Sequence, residues 1–375
     1  MLGKIRDRVA VVSKPNIPSL CTMSHTITTQ SFPSQQVDKE ADAEAETDPE
    51  LYEHFANIVS SLPSSNGMSR LPLYRHEQGW YLHQMAMVGA MVADSCFTAR
   101  PSDVLVATAP KAGTTWLKAL LYAVVQRRDH PVDAADHPFN SLGPHECVKF
   151  LEMQLFTCNR IPNLDKLPDP RLFSTHLPFV ALPKTVVSSG CKIVYVCREP
   201  KDNLISMWQM ANKAKAKHGV EPMPIEAAVE FFCDGLMPFG PYWDHVLGYW
   251  RAHLAHPDQV LFFKYEEMQR DPAAHVRKLA EFVGCPFRDG AEDDDDDDDD
   301  AVVDAIVRLC SFDHLSGLEV TKRGETNLGV VGQVDNTTFF RRGGVGDWAN
   351  HMSPEMARRV DEITEAKFKD SGLSV

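Results

Sequence analysis

The chain has 375 residues, of which 43% are hydrophobic and 24% charged, and its formal net charge at pH 7 is −14. This length and apolar content suffice for one large domain or two small ones with hydrophobic cores. No apolar run reaches about 18 residues, so we predict no transmembrane helix and no membrane partner. An acidic chain without a stripe of Lys and Arg also argues against a nucleic-acid partner.

Much of the negative charge lies in one segment, the eight consecutive aspartates Asp293–Asp300. Such a run repels itself and resists burial, so we predict a disordered acidic loop at 290–300. A role for this run in binding cations or partners stays open. The nine cysteines contain no C-x-x-C pair, which predicts reduced thiols in an intracellular compartment rather than a zinc cluster or a disulfide framework.

The N-terminal region differs in composition from the rest of the chain. Residues 1–50 are rich in Ser, Thr, Pro and Gln and then in Ala and Glu, which predicts a disordered tail. No secretory signal is visible, and we predict a cytoplasmic protein. The excess of basic residues within 1–37 leaves an organelle-targeting segment as the alternative, and Met23 leaves open whether residues 1–22 are translated. We predict that 51–375 form one domain.

From about residue 80, apolar runs typical of strands alternate with helical patterns. The predicted strands are 103–109, 171–176, 192–198 and 260–266. Helical patterns follow most of them, and two late helices have a cap residue followed by Pro, at Asp271 and at Ser353. An apolar helix is also predicted over 79–97. This alternation predicts an α/β fold, a single domain whose central parallel β-sheet is flanked by helices on both faces.

Ligands of open α/β sheets sit beyond the carboxyl ends of the strands. The first predicted strand is followed by the sequence PKAGTTW at 110–116, which has the composition of a phosphate-binding loop before a helix. A helix N-terminus supplies free N–H groups, Gly113 lets an anion approach closely, and Lys111 adds a positive charge. Lys precedes Gly here, unlike in the Walker motif, and no magnesium carboxylates are evident, so no metal is predicted. An ordinary strand–helix turn remains the alternative for this loop alone.

Four sequence blocks together resemble the soluble sulfotransferases that use 3′-phosphoadenosine 5′-phosphosulfate (PAPS). They occur in that family's order and extend from 110 to 356. They read PKAGTTWLK at 110–118, RLFSTHLPF at 171–179, YVCREPKDNLISMW at 195–208 and FFRRGGVGDWANHMSPEM at 339–356. The stretch FGPYWDHVLGYW at 239–250 resembles the plant members most.

The resemblance implies PAPS as co-substrate, without a metal, and a set of residues that contact it. The residues implied at the 5′-phosphosulfate are Lys111, Ala112, Gly113, Thr114 and Thr115. The residues implied at the 3′-phosphate are Arg198, Ser206, Arg341, Arg342 and Gly343. The residues implied near the adenine, or as further nucleotide contacts, are Trp116, Tyr265, Ser311 and Phe312. Taken singly, Trp116 could instead be a core aromatic and Arg198 a partner of Glu199 or Asp202.

His176 is the residue that the resemblance implies as general base. A hydroxyl is a poor nucleophile until a base removes its proton, and imidazole titrates in a suitable range. We predict in-line sulfuryl transfer, in which Lys111 stabilises the charge that develops at the 5′ end. Taken alone, a histidine at this position would more often be structural than catalytic.

For the acceptor, the sequence predicts a small hydrophobic metabolite with a hydroxyl group, of flavonoid, steroid, jasmonate or similar type. Aromatic residues before and after the catalytic blocks are predicted to line its pocket. They are Trp80, Tyr81, Phe156, Phe239, Tyr242 and Trp243. Alternatives to a sulfotransferase are a catalytically silent adenine-nucleotide-binding regulatory protein and a P-loop kinase. The sequence leaves monomer and homodimer open.

Overall fold

The computed structural model describes residues 45–76, 79–287 and 299–375. Its central sheet contains five strands, all pairing in parallel, in the spatial order β5-β4-β1-β3-β2. The strands are β1 (Val104–Thr108), β2 (Lys149–Phe150), β3 (Leu172–Thr175), β4 (Lys192–Cys197) and β5 (Val260–Lys264). Four of them match the strands predicted from the sequence, and the short edge strand β2 was not predicted.

Helices connect the strands and cover the sheet. In chain order they are α1 (Pro49–Ser60), α2 (Gln84–Cys96), α3 (Thr114–Val125), α4 (Pro144–Cys147), α5 (Lys184–Ser189), α6 (Pro200–Lys217), α7 (Ile225–Cys233), α8 (Tyr242–Ala255), α9 (Tyr265–Arg270), α10 (Pro272–Phe282), α11 (Asp299–Leu309), α12 (Phe312–Gly317), α13 (Glu319–Arg323) and α14 (Pro354–Phe368). There are also three small antiparallel sheets in the described part of the chain. One pairs Glu46–Thr47 with Arg160–Ile161, and another pairs Glu325–Asn327 with Gln333–Asp335. In the third, Leu73–His76 is the middle strand between Ser64–Ser65 and Gly79–Leu82.

The core forms because alternate side chains of each strand enter opposite faces of the sheet. On β4, Ile193 and Tyr195 belong to the apolar cluster on one face, and Val194 and Val196 to the cluster on the other. Helices α2, α6, α8 and α14 contribute to the first cluster, and α3, α10 and α11 to the second. The predicted fold, a parallel sheet with helices on both faces, is confirmed.

Helix starts follow the cap residues read from the sequence. Asp271 accepts a hydrogen bond from the backbone N–H of Ala274, and Ser353 accepts one from Met356. The helix predicted over 79–97 is wrong in its first part, because Gly79–Leu82 is a strand that pairs with Leu73–His76. Helix α2 begins only after His83, whose φ of 62° is incompatible with a continuous right-handed helix through this residue.

The prediction of a disordered tail over 1–50 and one domain over 51–375 stays a prediction. Residues 1–44 lie outside the described residues, as do 290–298 of the acidic loop predicted at 290–300, whose last two residues, Asp299 and Asp300, begin helix α11. Within the described part, Glu46–Thr47 pairs with Arg160–Ile161 and helix α1 begins at Pro49. None of the helices in the described part is both long and apolar enough to cross a membrane.

Candidate active site

The sheet register places four sequence-predicted positions at one edge. Strands β1, β3, β4 and β5 end next to one another, since Ala107 pairs with Thr175, Thr108 with Val196, and Cys197 with Lys264. The chain continues from these ends into the loop at 109–113, His176, Arg198 and Tyr265. Parallel strands therefore deliver the candidate residues to a common cavity.

The loop between β1 and α3 is held by side chains from its neighbours. Asn203 donates its side-chain N–H to the carbonyl of Pro110 at 2.9 Å. Lys111 and Gly113 have φ angles of 67° and 113°, and a Cβ at Gly113 would lie 2.8 Å from the Tyr265 ring. The positive φ and this close approach both require glycine there. The N-terminus of α3 consequently opens onto the cavity.

Lys111 and Arg198 place positive charge beside that helix end. Burial, together with the positive charges of Arg198, Arg341 and Lys213, lowers the pKa of Lys111 to about 8. An anion bound beside these cations would favour the protonated form of Lys111, since opposite charges attract.

Arg198 is a buried guanidinium in which one nitrogen has no hydrogen-bond partner among the described residues. Its Nη2 donates to the carbonyl of Gly344 at 2.8 Å and its Nη1 to the carbonyl of Lys111 at 3.4 Å. Its Nε is buried and has no hydrogen-bond partner in the described part of the chain. The guanidinium carbon lies 4.7 Å from the centre of the Tyr265 ring. A buried N–H without an acceptor is costly, and a phosphate oxygen would satisfy it.

The block at 339–356 lies against the Arg198 guanidinium. Asp347 accepts hydrogen bonds from both Arg341 and Arg342. Burial raises the pKa of Asp347, but the hydrogen bonds from Arg341 and Asn350 outweigh it, so the pKa is lowered overall. The double arginine is therefore oriented by a carboxylate that stays charged at neutral pH.

His176 lies just beyond β3 with one nitrogen engaged. Its Nδ1 is 2.8 Å from the carbonyl of Thr108, and because a carbonyl only accepts, Nδ1 carries the hydrogen. The Nε2 atom therefore holds the lone pair, and the hydrogen bonds of the His176 ring within the described part of the chain all involve Nδ1. Burial lowers the pKa of His176 to about 3, and the charge of Lys118 contributes in the same direction. The ring is thus neutral in the ligand-free protein.

Two further buried residues, not predicted from the sequence, hold His176 in place. Glu152 accepts from the His176 backbone N–H at 2.8 Å and from the Thr175 hydroxyl at 3.0 Å. His245 donates its Nε2–H to the His176 carbonyl at 3.0 Å and bonds the Tyr195 hydroxyl through Nδ1 at 2.9 Å. No sequence pattern relates these positions, because the fold brings them together from distant elements.

The cavity has a volume of about 710 Å³ and brings together nearly all of the predicted cofactor residues. Those that line it are Lys111, Gly113, Thr114, Thr115, Trp116, His176, Arg198, Ser206, Tyr265, Ser311, Phe312, Arg341, Arg342 and Gly343. Ala112 is fully buried and does not line it. The Trp116 and Tyr265 rings meet edge to face at 5.5 Å between centroids.

The residues predicted for the acceptor wall are placed differently. Of the six, Phe239 lines the cavity and the other five do not. Tyr242 donates its hydroxyl to the Arg198 carbonyl, and Trp243 donates to Thr364 at 2.9 Å, so both are buried supports. Phe156 packs on Phe97 in the core.

Trp80 and Tyr81 belong to the strand Gly79–Leu82 rather than to a helix, so their side chains lie outside the main cavity. Tyr81 is buried edge to face against Phe239. Other apolar residues line the cavity besides Phe239. They are Met68, Phe150, Met153, Met207, Met210 and Phe339.

Comparison with known proteins agrees with this geometry. A family model described as the sulfotransferase domain matches residues 101–372. The chain belongs to the sulfotransferase family. Cytosolic sulfotransferase 17 of Arabidopsis thaliana is similar to this sulfotransferase, with 42% identity over 323 residues that cover 85% of this chain and 90% of the relative. The predicted plant-type resemblance and the predicted enzyme class are confirmed.

Solved structures place this sulfotransferase in the same fold. A putative steroid sulphotransferase of Arabidopsis thaliana has 34% identity and a TM-score of 0.66, over 88% of this chain and 97% of that one. A mouse sulfotransferase complexed with PAP has 25% identity and a TM-score of 0.59, over 80% of this chain and 95% of that one. Among the described residues of this sulfotransferase, no group of three or more His, Cys, Asp or Glu could hold a metal ion.

Proposed function

We propose that this sulfotransferase transfers a sulfuryl group from PAPS to the hydroxyl of a small, largely apolar metabolite. One observation carries the proposal: the free Nε2 of His176 and the unpartnered Nε of buried Arg198 belong to residues of the same cavity. One group can accept a proton and the other can bind a phosphate. A silent nucleotide-binding protein would have no use for the first.

The donor would lie along the cationic side of the cavity. We propose that Lys111, Gly113, Thr114 and Thr115 hold the 5′ end, because the start of α3 and its hydroxyls are donors. We assign the 3′-phosphate to a second group, Arg198, Ser206, Arg341, Arg342 and Gly343. Trp116, Tyr265, Ser311 and Phe312 would contact the nucleoside. The buried Arg198 donor fits this use, since it lacks an acceptor among the described residues.

His176 would remove the acceptor proton. The lone pair of Nε2 takes the hydroxyl hydrogen, the acceptor oxygen bonds to sulfur, and the bond between sulfur and the 5′-phosphate oxygen breaks. The low pKa of His176 keeps the ring neutral, and the negative charge of the bound donor would raise that pKa towards a useful value. Lys111 stabilises the charge on the departing phosphate, adenosine 3′,5′-bisphosphate.

The apolar wall supports the acceptor class. Phe150 and Phe239 approach the His176 ring, at 4.5 and 5.6 Å between centroids, so the base lies in an aromatic setting. Such walls suit flat or terpenoid-sized hydroxylated compounds, among which flavonoid, steroid and jasmonate-type acceptors remain our candidates. We also propose a cytosolic location, supported by the similarity to cytosolic sulfotransferase 17 of Arabidopsis thaliana.

A paired turnover and binding measurement tests the proposal. In His176→Asn the side-chain amide can keep the hydrogen bond to Thr108 but offers no basic nitrogen. We expect the purified variant to bind the bisphosphate as tightly as the wild type in calorimetry. Sulfation of hydroxylated plant metabolites, measured by mass spectrometry, should fall by at least about 100-fold. His256→Ala, at an exposed position, is the control and should leave both unchanged. Normal turnover in His176→Asn would remove the histidine from the reaction.

A further inference from the structure

Beside the proposed donor site lies a buried polar cluster that has no direct role in the proposed proton and sulfuryl transfer. It consists of Lys118 on α3, His145 on α4 and the Thr115 hydroxyl, which lines the cavity. The Lys118 Nζ is 3.1 Å from Nδ1 of His145, and Nε2 of His145 is 2.9 Å from Oγ1 of Thr115. Lys118 is fully buried and His145 is 4% exposed.

Burial disfavours charge on the ionisable groups of this cluster. It lowers the pKa of Lys118 well below its ordinary value, which Glu152 opposes, and it lowers the pKa of His145 in the same way. A neutral imidazole has one N–H, so the ring donates at one nitrogen and accepts at the other. The three groups therefore form a chain of hydrogen bonds that runs in one direction or the other.

The donor capacity of Lys118 favours one direction. A protonated Lys118 has hydrogens only, and a neutral one has two hydrogens for one lone pair. The Lys118 Nζ lies 3.3 Å from the centre of the Phe150 ring, whose electron-rich face attracts N–H hydrogens. We therefore assign Lys118 as the donor to Nδ1 of His145. Nε2 of His145 then carries the hydrogen and donates to Thr115, whose own hydroxyl hydrogen must point elsewhere.

We propose that Lys118 and His145 are positioning residues that turn the Thr115 hydroxyl hydrogen into the cavity, where it donates to the 5′-phosphate of the nucleotide. This inference rests on the proposed donor site. Thr114 lacks such support, because its hydroxyl is 2.6 Å from that of Thr108, within the protein. The reverse direction would turn the Thr115 hydrogen towards His145 and present oxygen lone pairs to an anion.

A double-mutant cycle tests the proposal with adenosine 3′,5′-bisphosphate as probe. We expect His145→Phe, which keeps a ring against Phe150 and Phe339, to weaken calorimetric affinity about tenfold, the scale of one hydrogen bond to a charged group. Thr115→Val should weaken it about as much. The double variant should be no weaker than Thr115→Val alone, because His145 acts through that hydroxyl. His145→Gln, whose amide can accept from Lys118 and donate to Thr115, should recover most of the affinity.

Lys118→Met separates positioning from folding. It removes a buried amine at nearly constant shape, so we expect an unchanged or raised melting temperature together with weaker bisphosphate binding. Additive losses in the double variant, or wild-type affinity in both His145→Phe and Lys118→Met while Thr115→Val is weakened, would overturn the inference and leave the donor site standing. Wild-type affinity in Thr115→Val would overturn the inference together with the proposed place of the 5′-phosphate.

Discussion

Lys111 shows how a single residue couples the site to pH. Its pKa is lowered to about 8 by burial and neighbouring cations, whereas an exposed lysine titrates near 10.4. A bound phosphate would restore the higher value, because a negative charge favours the ammonium form. Binding of the bisphosphate should therefore draw a proton onto the enzyme.

The pH dependence of bisphosphate affinity tests this directly. Below about pH 8 Lys111 is already charged and affinity is at its plateau. As the pH rises above about 8, the free enzyme loses the proton that the complex retains, so affinity falls. Calorimetry in two buffers of different ionisation enthalpy should show proton uptake at about pH 8.5. Lys111→Arg, which stays charged, should show a flat profile. A flat profile in the wild type would contradict the assigned environment of Lys111.

For single residues of the site, the sequence predicted which residue types are present but not which hydrogen-bond partners hold them. The blocks that resemble sulfotransferases contain the candidates for the two phosphate groups that line the cavity, because phosphate-binding residues are adjacent in sequence, whereas Tyr265, Ser311 and Phe312 lie outside those blocks. Glu152 and His245, which hold His176, come from separate elements, so no spacing pattern could reveal them. Tyr242 was predicted for the acceptor wall, yet its hydroxyl serves the Arg198 backbone. An aromatic residue has the same local pattern in either role.

Among the secondary-structure elements, α6 is joined near its N-terminus to the block at 339–356 by hydrogen bonds of Asp202. Its two carboxylate oxygens accept the backbone N–H groups of Gly346 and Trp348, at 2.6 and 3.0 Å. The neighbouring Gly344 carbonyl accepts from Arg198. One helix end therefore sets the position of the loop that faces the proposed 3′-phosphate.

Replacement of this carboxylate should affect stability and binding together. In Asp202→Asn one amide N–H loses its acceptor, and we expect the free energy of unfolding to fall by about 1–3 kcal/mol in urea denaturation. Bisphosphate affinity should fall too, since the loop around Gly344 loosens. Asp361→Asn is the matched control, because that half-exposed carboxylate pairs with Lys201, which keeps Glu199 as a second partner at 3.3 Å, so its loss should cost less than that of Asp202. Equal effects of the two substitutions would refute a special role for Asp202.

The element boundaries show where sequence patterns suffice. Strands with continuous apolar character and helices with cap residues were predicted closely, since both signals are local. The two-residue strand Lys149–Phe150 has no such signal and forms only because β3 offers it an edge. Gly79–Leu82 follows an apolar helical pattern but pairs with Leu73–His76, so tertiary pairing outweighed local periodicity there.

At the scale of the whole molecule, the long acidic run interrupts an otherwise continuous domain. Helix α10 precedes it, and α11 begins with the last two aspartates of the run, Asp299 and Asp300, and packs into the apolar cluster through Val303 and Ile306. Val307 and Ser311, just beyond, line the cavity. The chain must return to the fold immediately after the run, whatever partner the run itself has.

Replacement of 288–298 by a Gly-Ser segment of equal length should leave the enzyme intact. We expect the rate of sulfation to be unchanged and the free energy of unfolding to stay within about 0.5 kcal/mol, because no buried described residue is altered. Removal that extends through Leu309 is the contrasting variant and should lower the melting temperature, since Val303, Ile306 and Leu309 are buried. Lost activity in the first variant would show that the run takes part in the reaction.

We propose that one cavity distinguishes the two phosphates of an adenine nucleotide and that Arg198 binds the 3′-phosphate. The most direct test is a calorimetric comparison of adenosine 3′,5′-bisphosphate with adenosine 5′-monophosphate, on the wild type and on Arg198→Ala. We predict that the wild type prefers the bisphosphate and that this preference shrinks at least about tenfold in the variant, with little change for the monophosphate. An undiminished preference for the bisphosphate in Arg198→Ala would contradict the assignment of Arg198 to the 3′-phosphate.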